Sequence, residues 1–437
     1  MISERRTVYE MLYDVFEKEG FSNLVLKEYE STGFVSAMFY GTIQRSVTID
    51  FILGNVCKAD VTKMDPVTRT IMRMGAWQIL FSDKVPPFAS VSTSVDLCKE
   101  LRPQSASFVN AILRKLIREN PSVDTFRPDI RVSLKSEIFG ILKKSYGRER
   151  AVLIGEALLK RPEICIRPNT LKTDRESLKK ILISEGVKVK DSDLVQGALK
   201  IEGTDISSLQ SFRDGLFFVQ NEAAQIASMI ADPQEGTDIL DCCAAPGGKS
   251  THMAELTDDK ARILSLDINE SRLDLIKDNY RRLGISSVDT MCADSTDLRS
   301  ALGQMRFDLV LCDVPCSGLG LMARKPDIRL TISYDRISEL LPRQRLILQN
   351  ASAYVRPGGV LCYCTCTLNR AENEETIQEF LKDHADFVAS DITCSLPSTL
   401  IMDENREKDA HNGMLTLYPD IDGCDGFFIC RLERRAI

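Results

Sequence analysis

Thr237-Asp238-Ile239-Leu240-Asp241-Cys242-Cys243-Ala244-Ala245-Pro246-Gly247-Gly248-Lys249-Ser250-Thr251 decides the fold. Apolar residues lead into a glycine turn and then into a helix-forming run, which predicts strand, loop and helix in that order. Gly247 and Gly248 let the backbone turn tightly and approach a ligand with no Cβ in the way. Free N–H groups where the helix starts favour a carboxylate or phosphate. Two nucleotide-phosphate readings are weak on residue identity. A P-loop needs glycine at position 243, where Cys243 stands. The dinucleotide pattern G-x-G-x-x-G needs glycine at 245 and 250, where Ala245 and Ser250 stand.

Downstream, apolar strands alternate with helix-length segments. Ile263-Leu264-Ser265-Leu266, Leu309-Val310-Leu311 and Val360-Leu361-Cys362-Tyr363 follow Ile239-Leu240. That alternation predicts a doubly wound α/β sheet with ligands at the carboxyl ends of its strands. Asp267 closes the second strand, where a carboxylate can accept hydrogen bonds from ribose hydroxyls. Asp294 follows a third strand-like segment. Glycine loop, ribose acid and further acid suit a ligand with an amino-acid tail, a ribose and an adenine, which are the parts of S-adenosylmethionine. Either acid alone reads equally well as a strand-end cap.

Two more strand ends carry thiols: Cys312-Asp313-Val314-Pro315-Cys316-Ser317-Gly318 and Cys362-Tyr363-Cys364-Thr365-Cys366-Thr367. Adjacent strand ends open into one crevice, so Asp313, Cys316 and Cys366 can converge. A zinc reading lacks the paired C-x-x-C hairpins such sites use. Cys242, Cys312, Cys362 and Cys364 read as compact core residues. That explanation does not cover Asp313-x-Pro315-Cys316, an acid and a thiol on a rigid turn.

Upstream, the chain changes character twice. Residues 1–140 read as a helical domain: Val8, Leu12, Val15 and Phe16 keep the helical period, Lys84-Val85-Pro86-Pro87 separates two blocks, and Ser107–Glu119 ends at Asn120-Pro121. Residues 141–160 read as a helical connector, within a locally basic stretch that reads first as a solvated helix face. Residues 161–220 read as a small α+β subdomain with short strands at Ile164-Cys165-Ile166, Val187-Lys188-Val189, Leu199-Lys200-Ile201 and Leu216–Val219, and a helix between the first two. Residues 221–437 read as the α/β domain.

Composition narrows the function classes. The 437 residues carry a net charge of −7, which argues against indiscriminate nucleic-acid binding. No apolar run approaches the ~20 residues of a membrane-spanning helix, and the first residues lack a secretory apolar core, so a cytoplasmic protein with no membrane association is expected. There, 14 cysteines are thiols rather than disulfides. Three histidines leave little for a His-based metal site, and no metal is expected.

Several motifs together resemble one family. Asp241–Lys249, Asp313-Val314-Pro315-Cys316-Ser317-Gly318, Lys325-Pro326-Asp327, Tyr363–Thr367 and Asp425-Gly426-Phe427-Phe428 are similar to the ordered motifs of the Nol1/Nop2/Sun RNA (cytosine-5)-methyltransferases. Arg167-Pro168-Asn169-Thr170 and Val219-Gln220-Asn221 resemble segments that precede that family's catalytic domain. Residues 1–140 resemble the NusB-type RNA-binding domain, on Val85–Val95 and Phe108–Arg114. The combination resembles the family's bacterial Sun/Fmu branch, which acts on 16S ribosomal RNA. Val314, Thr367 and Ala371 depart from residues common in the family, at no proposed catalytic atom.

The resemblance implies a Rossmann-like S-adenosylmethionine-dependent methyltransferase domain behind an α+β subdomain and an all-α NusB-like domain. It implies cofactor contacts from Cys243, Ala244, Ala245, Pro246, Gly247, Gly248 and Lys249, with Asp267, Asp294 and Asp313. It makes Cys366 the nucleophile that adds to carbon 6 of cytosine and Cys316 the residue that assists release; spacing alone does not decide between them. A thiolate is favoured by an electropositive neighbour such as Lys249. Asp313 is expected to serve the N3 edge of the base as an acid, kept protonated by burial. The target base must be unpaired or flipped. The expected partner is 16S ribosomal RNA, free or in an assembly intermediate, met by a monomer. Transfer RNA as substrate, or a non-catalytic RNA-binding assembly factor, are the competing readings.

Overall fold

A computed structural model describes residues 2–29, 32–202 and 205–436. It divides into two compact units, Met1–Lys160 with Leu321–Ser333, and Arg161–Gly320 with Tyr334–Ile437.

The first unit is helical. Helix Ile2–Glu17 buries Val8, Leu12 and Val15, the positions its period selects. Pro66–Phe81 and Pro87–Leu101 flank the proline break, and Pro87 opens the second of these helices, where its missing N–H costs nothing. Ala106–Glu119 buries Val109, Leu113 and Leu116, leaves Phe108 42% exposed, and ends at Asn120 in a left-handed conformation. Residues 141–160 are no free linker. Ser136–Tyr146 and Arg148–Ala157 bury Ile138, Leu142, Ala151 and Ile154.

Residues 321–333 pack with these helices although they follow the Cys316 turn in sequence. Ser22 hydrogen-bonds Asp327, Gln44 donates to the Ala323 carbonyl at 3.2 Å, and the fully buried Arg329 donates to the Leu158 carbonyl at 2.7 Å. The Lys325-Pro326-Asp327 motif is therefore a packing element of the helical unit.

The second unit holds two sheets. Strands β1 (Ile164–Pro168), β2 (Lys188–Asp191), β3 (Leu199–Glu202) and β4 (Phe217–Val219) form an antiparallel sheet in the order β2-β3-β1-β4. Helix Arg175–Ser184, capped by Asp174, buries Leu178 and Leu182 in a cluster with Ile166, Leu199 and Phe217.

The larger sheet contains β5 (Asp238–Asp241), β6 (Arg262–Asp267), β7 (Val288–Cys292), β8 (Phe307–Asp313), β9 (Val355–Thr365), β10 (Phe387–Ala389), β11 (Met414–Leu417) and β12 (Phe427–Arg434). Its order is β10-β12-β9-β8-β5-β6-β7, with β11 paired to β12. The neighbours from β9 through β7 are parallel, and β10 to β12 add an antiparallel edge. Successive side chains face opposite layers: Ile239, Leu311, Cys362 and Cys364 enter one cluster, and Leu240, Cys312 and Tyr363 the other. The order of strands reverses at β5, between β6 and β8, which opens the crevice where such sheets bind ligands.

Candidate active site

The glycine loop is held from three sides. Cys242 N donates to the Leu311 carbonyl at 2.9 Å and Ala244 N to that of Leu266 at 2.8 Å. Arg272 and Asn279 donate to the Ala245 and Pro246 carbonyls at 3.0 and 3.2 Å. Gly248 O accepts from Arg167 and Gln220, both at 3.0 Å. Gly247 has φ +94°, a left-handed conformation that demands glycine, and helix Gly248–Leu256 starts beside it.

A cavity of about 210 Å³ opens against this loop. Asp241, Cys243, Ala244, Ala245, Pro246, Gly248, Lys249 and Asp313 line it, facing Phe218–Asn221 and Ala224. Gly247, Asp267 and Asp294 lie outside that lining. Asp267 is buried at the end of β6, accepts from Asn269 N at 3.0 Å and pairs with Arg272 at 3.3 Å. Asp294 is exposed and caps its own turn, accepting from Thr296 N at 2.9 Å and Thr296 Oγ1 at 2.8 Å.

Lys249 and Asp313 form an ion pair in the cavity wall, and the ammonium also sits 5.3 Å from the centre of the Phe427 ring. Burial works to lower the Lys249 pKa, but Asp313, Cys364 and Asp241 outweigh it and raise it, so Lys249 holds its proton. The partner of Lys249 is thus Asp313, where the sequence suggested a thiolate. Asp313 is ion-paired with its side chain 30% exposed, where a buried acid was expected.

Beyond Asp313 lie the two thiols, on the turns that follow β8 and β9. Register pairs Asp313 with Cys364. Cys316 Sγ and Cys366 Sγ are 3.2 Å apart, both cysteines half-buried and free. The hydrogen bond with Cys366, and then burial, push the Cys316 thiol well up, so Cys316 keeps its proton. Cys242, Cys312, Cys362 and Cys364 are buried in the sheet's two layers. Among the described residues no group of three or more His, Cys, Asp or Glu is arranged to hold a metal.

Comparison with known proteins identifies the family. A family described as "16S rRNA methyltransferase RsmB/F" matches residues 228–433, the NusB family matches 2–118, and a ferredoxin-like domain of RsmF/B-like methyltransferases matches 139–206. "Probable ribosomal RNA small subunit methyltransferase B" of Bacillus subtilis is 32% identical over 449 residues, covering 99% of both chains. The chain belongs to the ribosomal RNA small subunit methyltransferase B family. The Synechocystis member is 30% identical, covering 99% of this chain and all of its own. The solved structure of PH0851 superposes with a TM-score of 0.83 at 26% identity over 99% of each chain. A methyltransferase homologue from Pyrococcus horikoshii gives 0.60 at 27% identity, over 72% of this chain and all of that one.

The methyl donor in this family is S-adenosylmethionine, and the residues here fit it. Asp241 is 1% exposed, and its Oδ2 accepts from Ser250 at 2.6 Å. Its Oδ1, in the cavity wall, has no hydrogen-bond partner. Burial, opposed by the Ser250 bond and by Lys249, pushes the Asp241 carboxyl up to about 6. A buried acceptor left open beside a glycine turn suits the ammonium of an amino-acid tail.

The two cysteine turns are held by residues that sequence reasoning missed. Glu372 and Asn373 bind both turns. Glu372 accepts from Ser317 N at 2.8 Å, and Asn373 donates to the Thr367 carbonyl at 3.0 Å. The only signal in the sequence is their place close behind Cys366. Gly320 N donates to the Cys366 carbonyl and Gly426 N to the Gly320 carbonyl, both at 3.1 Å, which explains the glycine of Asp425-Gly426-Phe427. Among the described residues, no helix is long and apolar enough to cross a membrane.

Proposed function

We propose that this chain methylates carbon 5 of a cytosine in 16S ribosomal RNA through a covalent adduct on Cys366. The observation that carries the reading is the thiol pair, Cys316 and Cys366 at 3.2 Å, on the turns that leave β8 and β9, together with the ion pair that Lys249 makes to Asp313 at the end of β8. The relatives' names support small-subunit ribosomal RNA as the substrate.

Carbon 5 of cytosine is a poor nucleophile. Addition of the Cys366 thiolate to carbon 6 turns carbon 5 into an enamine-like carbon, dividing one hard step into easier ones. As the sulfur adds to carbon 6, N3 takes a proton from the Asp313–Lys249 pair, passed from the Lys249 ammonium through the Asp313 carboxyl, and gives it back when the sulfur leaves. S-adenosylmethionine, when bound, supplies an electrophilic methyl group on sulfur. The carbon-5 proton then leaves. Its bonding electrons restore the double bond between carbons 5 and 6, and the carbon–sulfur bond breaks with its electrons passing to the Cys366 sulfur. Cys316, which holds a proton beside Cys366, takes the carbon-5 proton while handing its own to the departing Cys366 sulfur. Backbone and shape contacts position the RNA.

Bisulfite sequencing of RNA from a deletion strain tests the substrate. Loss of one methylated cytosine from 16S ribosomal RNA is expected. An unchanged 16S pattern with a loss from transfer RNA rejects it.

A further inference from the structure

Glu372 has no exposed surface, and the hydrogen-bond partners of its carboxylate are all donors. Oε2 accepts from Ser317 N and from Gln344 Nε2, both at 2.8 Å. Oε1 accepts from Ser317 Oγ at 2.6 Å and from Asn369 Nδ2 at 2.9 Å. Its main-chain carbonyl accepts from the Tyr363 hydroxyl at 2.7 Å. A carboxylate this deep is costly unless such donors surround it, and none of the four is a cation. The carboxylate thus acts as a four-way tie.

The tie joins the two cysteine turns. Ser317 follows Cys316, and Gln344 also donates to the Pro315 carbonyl at 2.9 Å, so both flanks of Cys316 are fixed. Asn369 belongs to the turn after Cys366, where Thr367 Oγ1 meets Ser317 Oγ at 2.6 Å. We propose that Glu372 is the positioning residue that holds the Cys316 turn against Cys366 and so sets the rate at which the Cys366 adduct breaks down. This rests on the covalent reading above. Its negative charge adds to the effects of the Cys366 hydrogen bond and of burial in keeping Cys316 protonated. A glutamine of the same shape must turn an NH₂ group towards two donors, which loosens the turn without emptying the space.

The test uses the full chain with S-adenosylmethionine and full-length unmethylated 16S ribosomal RNA. Glu372→Gln is expected to bind S-adenosylmethionine as the parent does and to form the Cys366–RNA adduct. It should resolve that adduct about tenfold more slowly, the effect of losing a charge-assisted contact. The adduct then accumulates on denaturing gels while kcat falls. Ser317→Ala removes one donor, folds more readily, and is expected to show the same shift to a smaller degree. Cys316→Ala is the reference. If it traps adduct while Glu372→Gln and Ser317→Ala resolve theirs at the parent rate, the positioning role is overturned. Loss of cofactor binding, adduct and turnover together in Ser317→Ala also overturns it, because that is a purely structural effect. If not even Cys316→Ala yields adduct, the covalent reading fails, and this role with it.

Discussion

The sulfur atoms of Cys316 and Cys366 lie 3.2 Å apart, on turns leaving two neighbouring parallel strands. Their surroundings differ. Cys316 is held by the Glu372 tie and keeps its proton, whereas Cys366 packs at the edge of the sheet's apolar layer. The proposed mechanism makes Cys366 the nucleophile of the pair and Cys316 the residue that assists release. Cys366→Ala is expected to lower turnover by roughly a thousandfold or more and to form no adduct. Cys316→Ala is expected to leave a protein–RNA adduct that survives denaturing electrophoresis. The opposite pattern on that gel reverses the two roles.

Asp241 gives a pH-dependent prediction. Its carboxyl sits at about 6, against an ordinary value of 3.8, because burial disfavours the charge. The folded chain therefore binds this proton more tightly than the unfolded chain. The stabilisation this group contributes is present below pH 3.8, falls as pH rises from 3.8 to about 6, and is gone above that. Asp241→Asn lacks that loss. In ligand-free protein its unfolding free energy should gain on the parent across this window by up to about 3 kcal/mol. Urea unfolding at the two ends of the window measures it. The same variant should bind S-adenosylmethionine about tenfold more weakly in calorimetry, having lost the anion offered to the ammonium.

The glycine loop, the parallel strands and the small antiparallel sheet were legible in the sequence because each is local. Apolar period and turn chemistry act over a few residues, as at Ile239–Gly248 and Asp174–Ser184. The buried fate of Cys312, Cys362 and Cys364 follows from short apolar strands covered on both faces, where cysteine serves as a compact hydrophobe. What escaped is tertiary. No local pattern says that Glu372 enters the interior, since a carboxylate is buried only if distant donors meet it. Nor does any pattern say that Asp327 and Arg329 pack among helices far away in sequence. The Lys249–Asp313 pair needed two strand-end neighbours to be brought together. Asp294, assigned to a ligand by the ordered motifs, also caps its own turn, its Oδ1 accepting from Thr296 N and Thr296 Oγ1.

Gly320 tests how closely the Cys366 turn is held. A Cβ on Gly320 would lie 1.9 Å from the Gly426 carbonyl oxygen, which is backbone and cannot swing aside. Gly320→Ala must therefore separate the two backbones and pull on the Cys366 carbonyl that Gly320 N supports. Overpacking of this kind costs about 1–3 kcal/mol. Activity should fall further than stability does, with affinity for S-adenosylmethionine retained, because the glycine loop lies on other strands. Parallel urea unfolding, calorimetry and methyl-transfer assays separate these effects.

Arg167 and Glu255 make a final prediction about how the small sheet serves the cofactor loop. Both are buried and form a two-point ion pair at 2.8 and 2.9 Å. Burial raises the Glu255 pKa, and the guanidinium works against it. Removing one partner strands the other charge in the interior, so Glu255→Leu should cost about 3–5 kcal/mol of stability. Arg167→Leu should cost as much and do further harm. Arg167 also donates to Gly248 O at 3.0 Å and to Thr251 Oγ1 at 3.0 Å, inside the loop and helix that flank the cavity. The double variant removes both charges, so its stability should recover towards the parent, as replacement of a buried pair by apolar residues often permits. Its affinity for S-adenosylmethionine should not recover, because the bond to Gly248 is still missing. Equal recovery of stability and affinity in the double variant would show that Arg167 matters only as a counter-charge, with no hold on the loop.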